Sequence, residues 1–182
     1  FSNIDPTPVP DTPPVPWLLG TSEKSGIQAA EKGMHYAFGH FMSDKDGPTI
    51  VRDFQREFQR KHPKKQPQVL IAVAAIVAET TEEAEDLALS NLIWRIQQGK
   101  GRGKHGLPSI EEARDYQLTE EEKASFEKMK QKTIIGNPSE VKQKLKNLQV
   151  RYNADEMMVV TITHRYEDRL KSYELLAEEV LK

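Results

Sequence analysis

The sequence predicts an α/β fold built on parallel strands, and three observations carry that prediction. Strand-like and helix-like segments alternate four times along the chain. The strand segments are apolar at successive positions, as strands covered on both faces are. The helix segments open on capping residues and carry apolar stripes at helical spacing. At 182 residues, 37% hydrophobic and 30% charged, the chain is long enough to bury a core of its own.

Residues 1–16 carry Pro6, Pro8, Pro10, Pro13, Pro14 and Pro16. Proline lacks a backbone donor, so this stretch reads as a linker or loop. Trp17-Leu18-Leu19 reads as a short buried strand ending at Gly20. A helix follows Thr21-Ser22, with Ile27, Ala30 and Met34 at helical spacing and Gly33 as its stop. Tyr36–Phe41 is the second strand. Residues 48–61 form an amphipathic helix with Ile50, Val51, Phe54 and Phe58 on one stripe and Pro48 in its first turn.

Gln68–Ala78 is a near-continuous aliphatic run, the third strand. Thr80-Thr81-Glu82-Glu83 is a cap with an acidic first turn, opening a helix through Leu87, Leu89, Leu92, Ile93 and Ile96. Gly99–Gly106 is a glycine-rich basic loop. Residues 107–132 are polar, with short helices starting near Pro108-Ser109 and Thr119. Gly136-Asn137-Pro138-Ser139-Glu140 starts a helix carrying Val141, Leu145 and Leu148. Glu156–Thr163 is the fourth strand and Tyr166–Leu181 the last helix. Such alternation implies right-handed parallel crossovers, in an open doubly wound sheet or in half of a barrel.

The formal net charge of −2 gives no long-range attraction for nucleic acid, and the run Arg60, Lys61, Lys64 and Lys65 reads as a solvated face. The chain has no cysteine, which excludes disulfides, thiolate catalysis and Cys metal sites, and fits a reducing, cytoplasmic setting. The longest apolar run is too short to cross a bilayer. The chain starts without Met or a basic leader, as a cut within a longer protein does. No His, Asp and Glu set has metal-ligand spacing. Glu82-Glu83 and Glu111-Glu112 fit helix first turns better than acid–base pairs, and Trp17, Trp94, Met157 and Met158 read as packing residues.

Several segments carry a resemblance. They are Val15-Pro16-Trp17-Leu18-Leu19-Gly20-Thr21-Ser22 with Ala29-Ala30-Glu31-Lys32-Gly33-Met34, then Tyr36-Ala37-Phe38-Gly39-His40-Phe41, then Ala78-Glu79-Thr80-Thr81-Glu82-Glu83-Ala84. Gly106-Leu107-Pro108-Ser109-Ile110-Glu111-Glu112-Ala113, Ile135-Gly136-Asn137-Pro138-Ser139-Glu140-Val141 and Ala154–His164 continue the series. In this order and spacing they resemble the bacterial-luciferase-like, flavin-dependent monooxygenases. Ala78–Ala84 is similar to the start of that family's penultimate barrel helix. The resemblance implies the C-terminal half of a TIM (β/α)8 barrel over residues 17–182: four parallel β/α units with a long insertion before the last strand. On this reading the first four strands lie outside this sequence. The chain alone is then expected to be catalytically weak or dead, and to associate with itself or with the missing half.

The resemblance also implies a cofactor, FMN, reduced by a separate flavin reductase and used with O2 to oxygenate a small organic substrate. Alternatives are a deazaflavin-dependent oxidoreductase and a non-catalytic half barrel that self-associates and binds flavin or another phosphate. The loop Gly20-Thr21-Ser22-Glu23-Lys24-Ser25-Gly26 lies between a strand and a helix, where unpaired amides favour an anion. It is either a plain helix cap or, as the resemblance implies, the flavin phosphate site, with Ser22 and Ser25 as ligands and backbone help from Thr21 and Gly26. His40 and His164, each following a strand, are candidates to face substrate or flavin. Each also has a structural reading, His40 as a hydrogen-bonded half-buried histidine and His164 as a helix cap. His35 and His62 read as surface residues. Arg102, with Lys100, Lys104 and His105, makes the Gly99–Gly106 loop either a basic lid or a solvated loop.

Overall fold

The computed structural model describes residues 7–8, 10–102 and 106–181. Among them one parallel sheet holds β1 (Trp17–Gly20), β2 (His35–Gly39), β3 (Val69–Val77), β4 (Thr133–Gly136) and β5 (Glu156–Val160). The helices are α1 (Glu23–Lys32), α2 (Gly47–Lys61), α3 (Thr81–Gly99), α4 (Ile110–Asp115), α5 (Glu120–Lys132), α6 (Pro138–Tyr152) and α7 (Tyr166–Val180). No helix among the described residues is long and apolar enough to cross a membrane.

The sheet is organised around β3. Leu70 pairs with Ala37 of β2 and with Glu156 of β5, so β2 and β5 lie on opposite edges. Ala74 pairs with Thr133 of β4 and with Val160 of β5. One edge of β3 is therefore shared, by β2 along Val69–Ala72 and by β4 along Ala74–Val77. The α/β fold and its parallel strands are as the sequence predicts. The addition is β4, which lies inside the insertion, where only a helix start was expected. Four residues between polar helices are too few to show a strand period.

Strand ends are set by what replaces the ladder. β2 stops at Gly39, short of Phe41, and turns into a 3-10 turn over His40–Met42. β5 stops at Val160, short of Thr163. Beyond it, side chains complete the edge of β3. Thr161 Oγ1 donates to the Ala75 carbonyl at 2.8 Å, and the Val77 N–H donates to Ser172 Oγ at 2.9 Å. The Thr161 N–H in turn donates to the Tyr173 hydroxyl at 3.0 Å. Buried backbone groups require such partners, and α7 supplies them.

Alternating side chains of β3 feed two apolar clusters on its two faces. Val69, Ile71, Val73, Ala75 and Val77 meet α1, α2, α6 and α7 on one face. Ile76 and Ala78 turn to the other, where they meet Ala84, Leu87, Ala88 and Leu92 of α3 and Ile135 of β4. The covering helix between β3 and β5 is thus α6. The helix opened by Thr80, expected in that layer, instead packs across the opposite face with the insertion.

Local packing corrects three expectations. The inward face of α1 is Gly26, Ala29 and Ala30, and Ile27 is 37% exposed. Small residues fit there because α1 lies against α2: a Cβ at Gly26 would already be in van der Waals contact, 3.5 Å from both Ile50 Cγ2 and Phe54 Cβ. Met158, expected to pack, is 51% exposed, on the face opposite its packed neighbours Met157 and Val159. His35 and His62, expected at the surface, are half-buried. The His62 Nε2–H donates to the Ala30 carbonyl at 3.0 Å, and His35 Nδ1 accepts from the Gln68 N–H at 3.0 Å.

Candidate functional site

The turn from β1 into α1 is closed by a capping box. The Ser25 N–H donates to Ser22 Oγ at 3.3 Å, and the Ser22 N–H donates to Ser25 Oγ at 3.2 Å. Ser25 Oγ also donates to the Ser22 carbonyl at 2.7 Å and lies 2.9 Å from the Tyr36 hydroxyl. Both serines thus hold the helix start, and Ser25 is anchored from beneath by Tyr36, which is fully buried. The N–H groups of Glu23 and Lys24 have no acceptor among the described residues. Thr21 is tied to the neighbouring turn, its carbonyl accepting from Ser43 Oγ at 3.0 Å.

His40 leaves the end of β2 toward α6. Its Nδ1 lies 2.8 Å from the Tyr152 hydroxyl, and the two rings meet edge to face. Burial holds the imidazole below its ordinary pKa, and the charges of Lys132 and Arg151 push the same way. Burial raises the Tyr152 hydroxyl to about 12. His40 borders a cleft of about 730 Å³ between the end of α5, β4 and α6.

Arg102 lies elsewhere. With Lys100 it pairs with Glu122 in the first turn of α5, at 3.5 and 2.9 Å. Glu122 is 3% exposed and also accepts from the Tyr116 hydroxyl at 3.0 Å and the Thr119 N–H at 2.8 Å. The Thr119 N–H and the Lys100 ammonium hold its carboxyl down at about 2. Lys104 and His105 lie outside the described residues. His164 does not cap α7, whose cap position is Arg165. Its Nδ1–H donates to the Leu107 carbonyl at 2.9 Å, tying the strand end to the insertion. Among the described residues His40 lines the cleft beside α6 and His164 a separate cavity beside α3 and α4, so the structure does not bring the two together.

A smaller cavity, about 130 Å³, lies on the α3 side of the sheet. Its walls are Ala74 and Ile76 of β3, Val160 and Ile162 at the end of β5, and the rings of Phe41 and Trp94. Two polar side chains of α3, Asn91 and Arg95, also line it. Asn91 is 5% exposed and its amide nitrogen has no acceptor among the described residues. Arg95 donates to the Phe41 carbonyl at 3.4 Å, a long bond. Neither residue stands out in sequence until α3 is known to pack on this face. The available signal is a pair of polar residues four apart among Leu87, Ala88, Leu92 and Ile96.

The family model for luciferase-like monooxygenases matches residues 2–152. The chain belongs to that family. Its sequence is 36% identical to the Bacillus subtilis protein YceB over 178 residues, covering 98% of this chain and 54% of YceB. It is 28% identical to the N-acetyl-S-alkylcysteine monooxygenase of the same organism over 182 residues, covering 100% of this chain and 54% of that protein. Among solved structures, apo-MsnO8 superposes with a TM-score of 0.83 at 25% identity, covering 96% of this chain and 53% of MsnO8. The chain spans about half the length of these relatives. Its architecture is that of half a luciferase-like barrel. Leu19, Met158 and Ile162, exposed and apolar, alternate with residues packed under the covering helices and so lie on the opposite, barrel-interior face.

Proposed function

We propose that this chain forms part of a flavin-dependent monooxygenase and supplies its flavin phosphate site at the β1–α1 turn. The observation that carries the proposal is the pair of α1 amides, of Glu23 and Lys24, that no group among the described residues accepts from. They sit at the positive end of a helix whose start the two serines lock. The residues present fit a phosphate there. Thr21 and Ser22 border it, and Ser25 and Gly26 support it from the packed side, where Ser25 meets Tyr36 and Gly26 meets α2. Bound reduced FMN would supply the electrons by which O2 places one oxygen atom in an organic substrate and leaves the other as water. A separate reductase would deliver the flavin reduced. The protein's part is to hold the phosphate and to offer an apolar face that excludes water. The exposed apolar side chains Leu19, Met158 and Ile162 support association of this face with another half barrel, in a partner segment or a second copy.

The test is a titration of the purified chain with oxidised and reduced FMN, read by absorbance and flavin fluorescence, beside riboflavin, which lacks the phosphate. FMN is expected to bind saturably and at least about tenfold more tightly than riboflavin, as charge-assisted hydrogen bonds to the phosphate require. Ser22→Ala/Ser25→Ala, verified as folded by circular dichroism, is expected to abolish that preference. Equal binding of the two flavins, or none to the folded chain, would overturn the assignment.

A further inference from the structure

The cavity beneath α3 holds a cation without a counter-ion. A guanidinium stays charged in any protein environment. Arg95 is half-buried, and no carboxylate lies within 4.0 Å of it among the described residues. The negative charge that acts on it is Asp44, and Asp44 is already paired with Lys128 and Lys132. Its one bond among the described residues, to the Phe41 carbonyl, leaves most of the five guanidinium donors free of a protein acceptor there. Asn91 stands one helical turn earlier on the same face and adds an amide N–H without an acceptor among the described residues. The rest of the lining is aliphatic or aromatic apart from Thr133, whose hydroxyl already donates to the Met129 carbonyl. The Asn91 amide is a buried donor in apolar walls and is costly unless something accepts from it, whereas the half-buried guanidinium still reaches solvent at its edge.

The volume limits what that acceptor is. About 130 Å³ is the space of about four water molecules, enough for the polar end of a ligand and too little for a flavin. A planar, negatively charged, two-oxygen group matches the guanidinium fork. The lining residues Ala74, Ile76, Val160 and Ile162 lie on the barrel-interior face, beside exposed Met158, so a ligand whose head is seated here would lay an apolar body along that face.

We propose that Arg95 and Asn91 form the anion-recognising end of the substrate site, and that the substrate is a small organic molecule carrying a carboxylate on an apolar body. The proposal deepens the oxygenase reading above and rests on it for the word substrate. The anion site itself stands on the cavity alone. Arg95 would take the carboxylate in a two-point contact, and Asn91 would fix its orientation.

The experiment titrates hexanoate, 1-hexanol, hexylamine and inorganic phosphate into the purified chain. Binding is read by calorimetry and by the NMR shift of the Arg95 side-chain N–H. Hexanoate is expected to bind saturably, at least tenfold more tightly than 1-hexanol, with hexylamine and phosphate weaker still. Arg95→Met is expected to reduce hexanoate binding to the level of 1-hexanol, Arg95→Lys to restore part of the difference, and Asn91→Leu to weaken hexanoate alone. If Arg95 merely holds the Phe41 carbonyl, the unaltered chain will not distinguish hexanoate from 1-hexanol, and that result overturns the proposal whatever the variants do. Displacement of hexanoate by phosphate or FMN also overturns it, because the anion site would then be the cofactor's. Hexanoate selectivity in a chain that fails to bind FMN would retain the anion site and remove the oxygenase reading. FMN binding without hexanoate selectivity would do the reverse.

Discussion

His40 and Tyr152 meet across 2.8 Å, Nδ1 to hydroxyl, and join the end of β2 to the last turn of α6. Tyr152 fills its place completely: a Cβ on Gly47 would overlap its hydroxyl. The phenol keeps its proton through the whole physiological range, so neutral His40 completes a neutral hydrogen bond inside the fold.

Acid should loosen this junction. The folded pKa of His40 lies below its ordinary value of 6.5, so the unfolded chain binds the proton first. The stability contributed by the neutral ring is therefore fully present above pH 6.5 and is lost as pH falls through the lower, folded value. The melting temperature of the unaltered chain should drop over this interval, and His40→Gln should flatten the drop. An NMR titration midpoint for His40 at or above 6.5 would contradict this.

Gly20 should tolerate no side chain. A Cβ there would overlap Cβ and Oγ of Ser25, the residue that locks the start of α1. Gly20→Ala is expected to destabilise the chain by about 1–3 kcal/mol, the usual cost of overpacking. Because the strain falls on the capping serine, FMN binding should weaken with it. An urea midpoint equal to that of the unaltered chain would show that the turn relaxes freely.

Ser172 should matter more than its size suggests. It is 1% exposed and accepts the Val77 N–H where β5 no longer reaches. Ser172→Ala leaves that donor buried and unpaired, at about 1–3 kcal/mol. Ser172→Cys, a weak acceptor, should lose less. Chemical denaturation of both variants checks the order, and equal losses would assign the effect to packing.

Much of this fold was legible in sequence because strong local signals point the same way. The Gln68–Ala78 run, the Thr80, Ser109 and Thr119 caps and the Gly33 stop all fall at observed boundaries. What was not legible depends on which face a segment meets. Thr133–Gly136 is a strand only because β3 offers it an edge that β2 has left. The helix from Thr80 looks like an ordinary covering helix, and only the contact of Leu87, Ala88 and Leu92 with Ile76 places it on the other side. The same reversal hid Asn91 and Arg95, while the serines of the first turn could be read either as a helix cap or as an anion site, and the cap is what the fold shows. Their mutual capping box depends on the bend of the chain between β1 and α1, which no residue spacing reveals.

Glu122 should hold the glycine-rich basic loop to α5. Its carboxyl, at about 2 in the fold against 4.5 ordinarily, contributes stability that is present above pH 4.5 and lost as pH falls toward 2. Glu122→Gln should remove this dependence and free Lys100 and Arg102. Trypsin should then cut after those residues faster at neutral pH, while cutting elsewhere stays unchanged. Equal cleavage in both proteins would show that the ion pairs do not restrain the loop.

The shared edge of β3 also imposes an order of events on the folding chain. Its first half is closed by β2, a near neighbour in sequence. Its second half waits for Thr133–Gly136, which arrives only after the whole excursion of α3, α4 and α5. Closing the longer loop costs more entropy, so that zipper should be the later one. Pulse-labelled hydrogen exchange should see amides of Leu70 and Ala72, which face β2, protected before those of Ile134 and Gly136, which face β3. Until β4 docks, the upper edge of β3 is a bare template, and chains meeting during synthesis would find one another there.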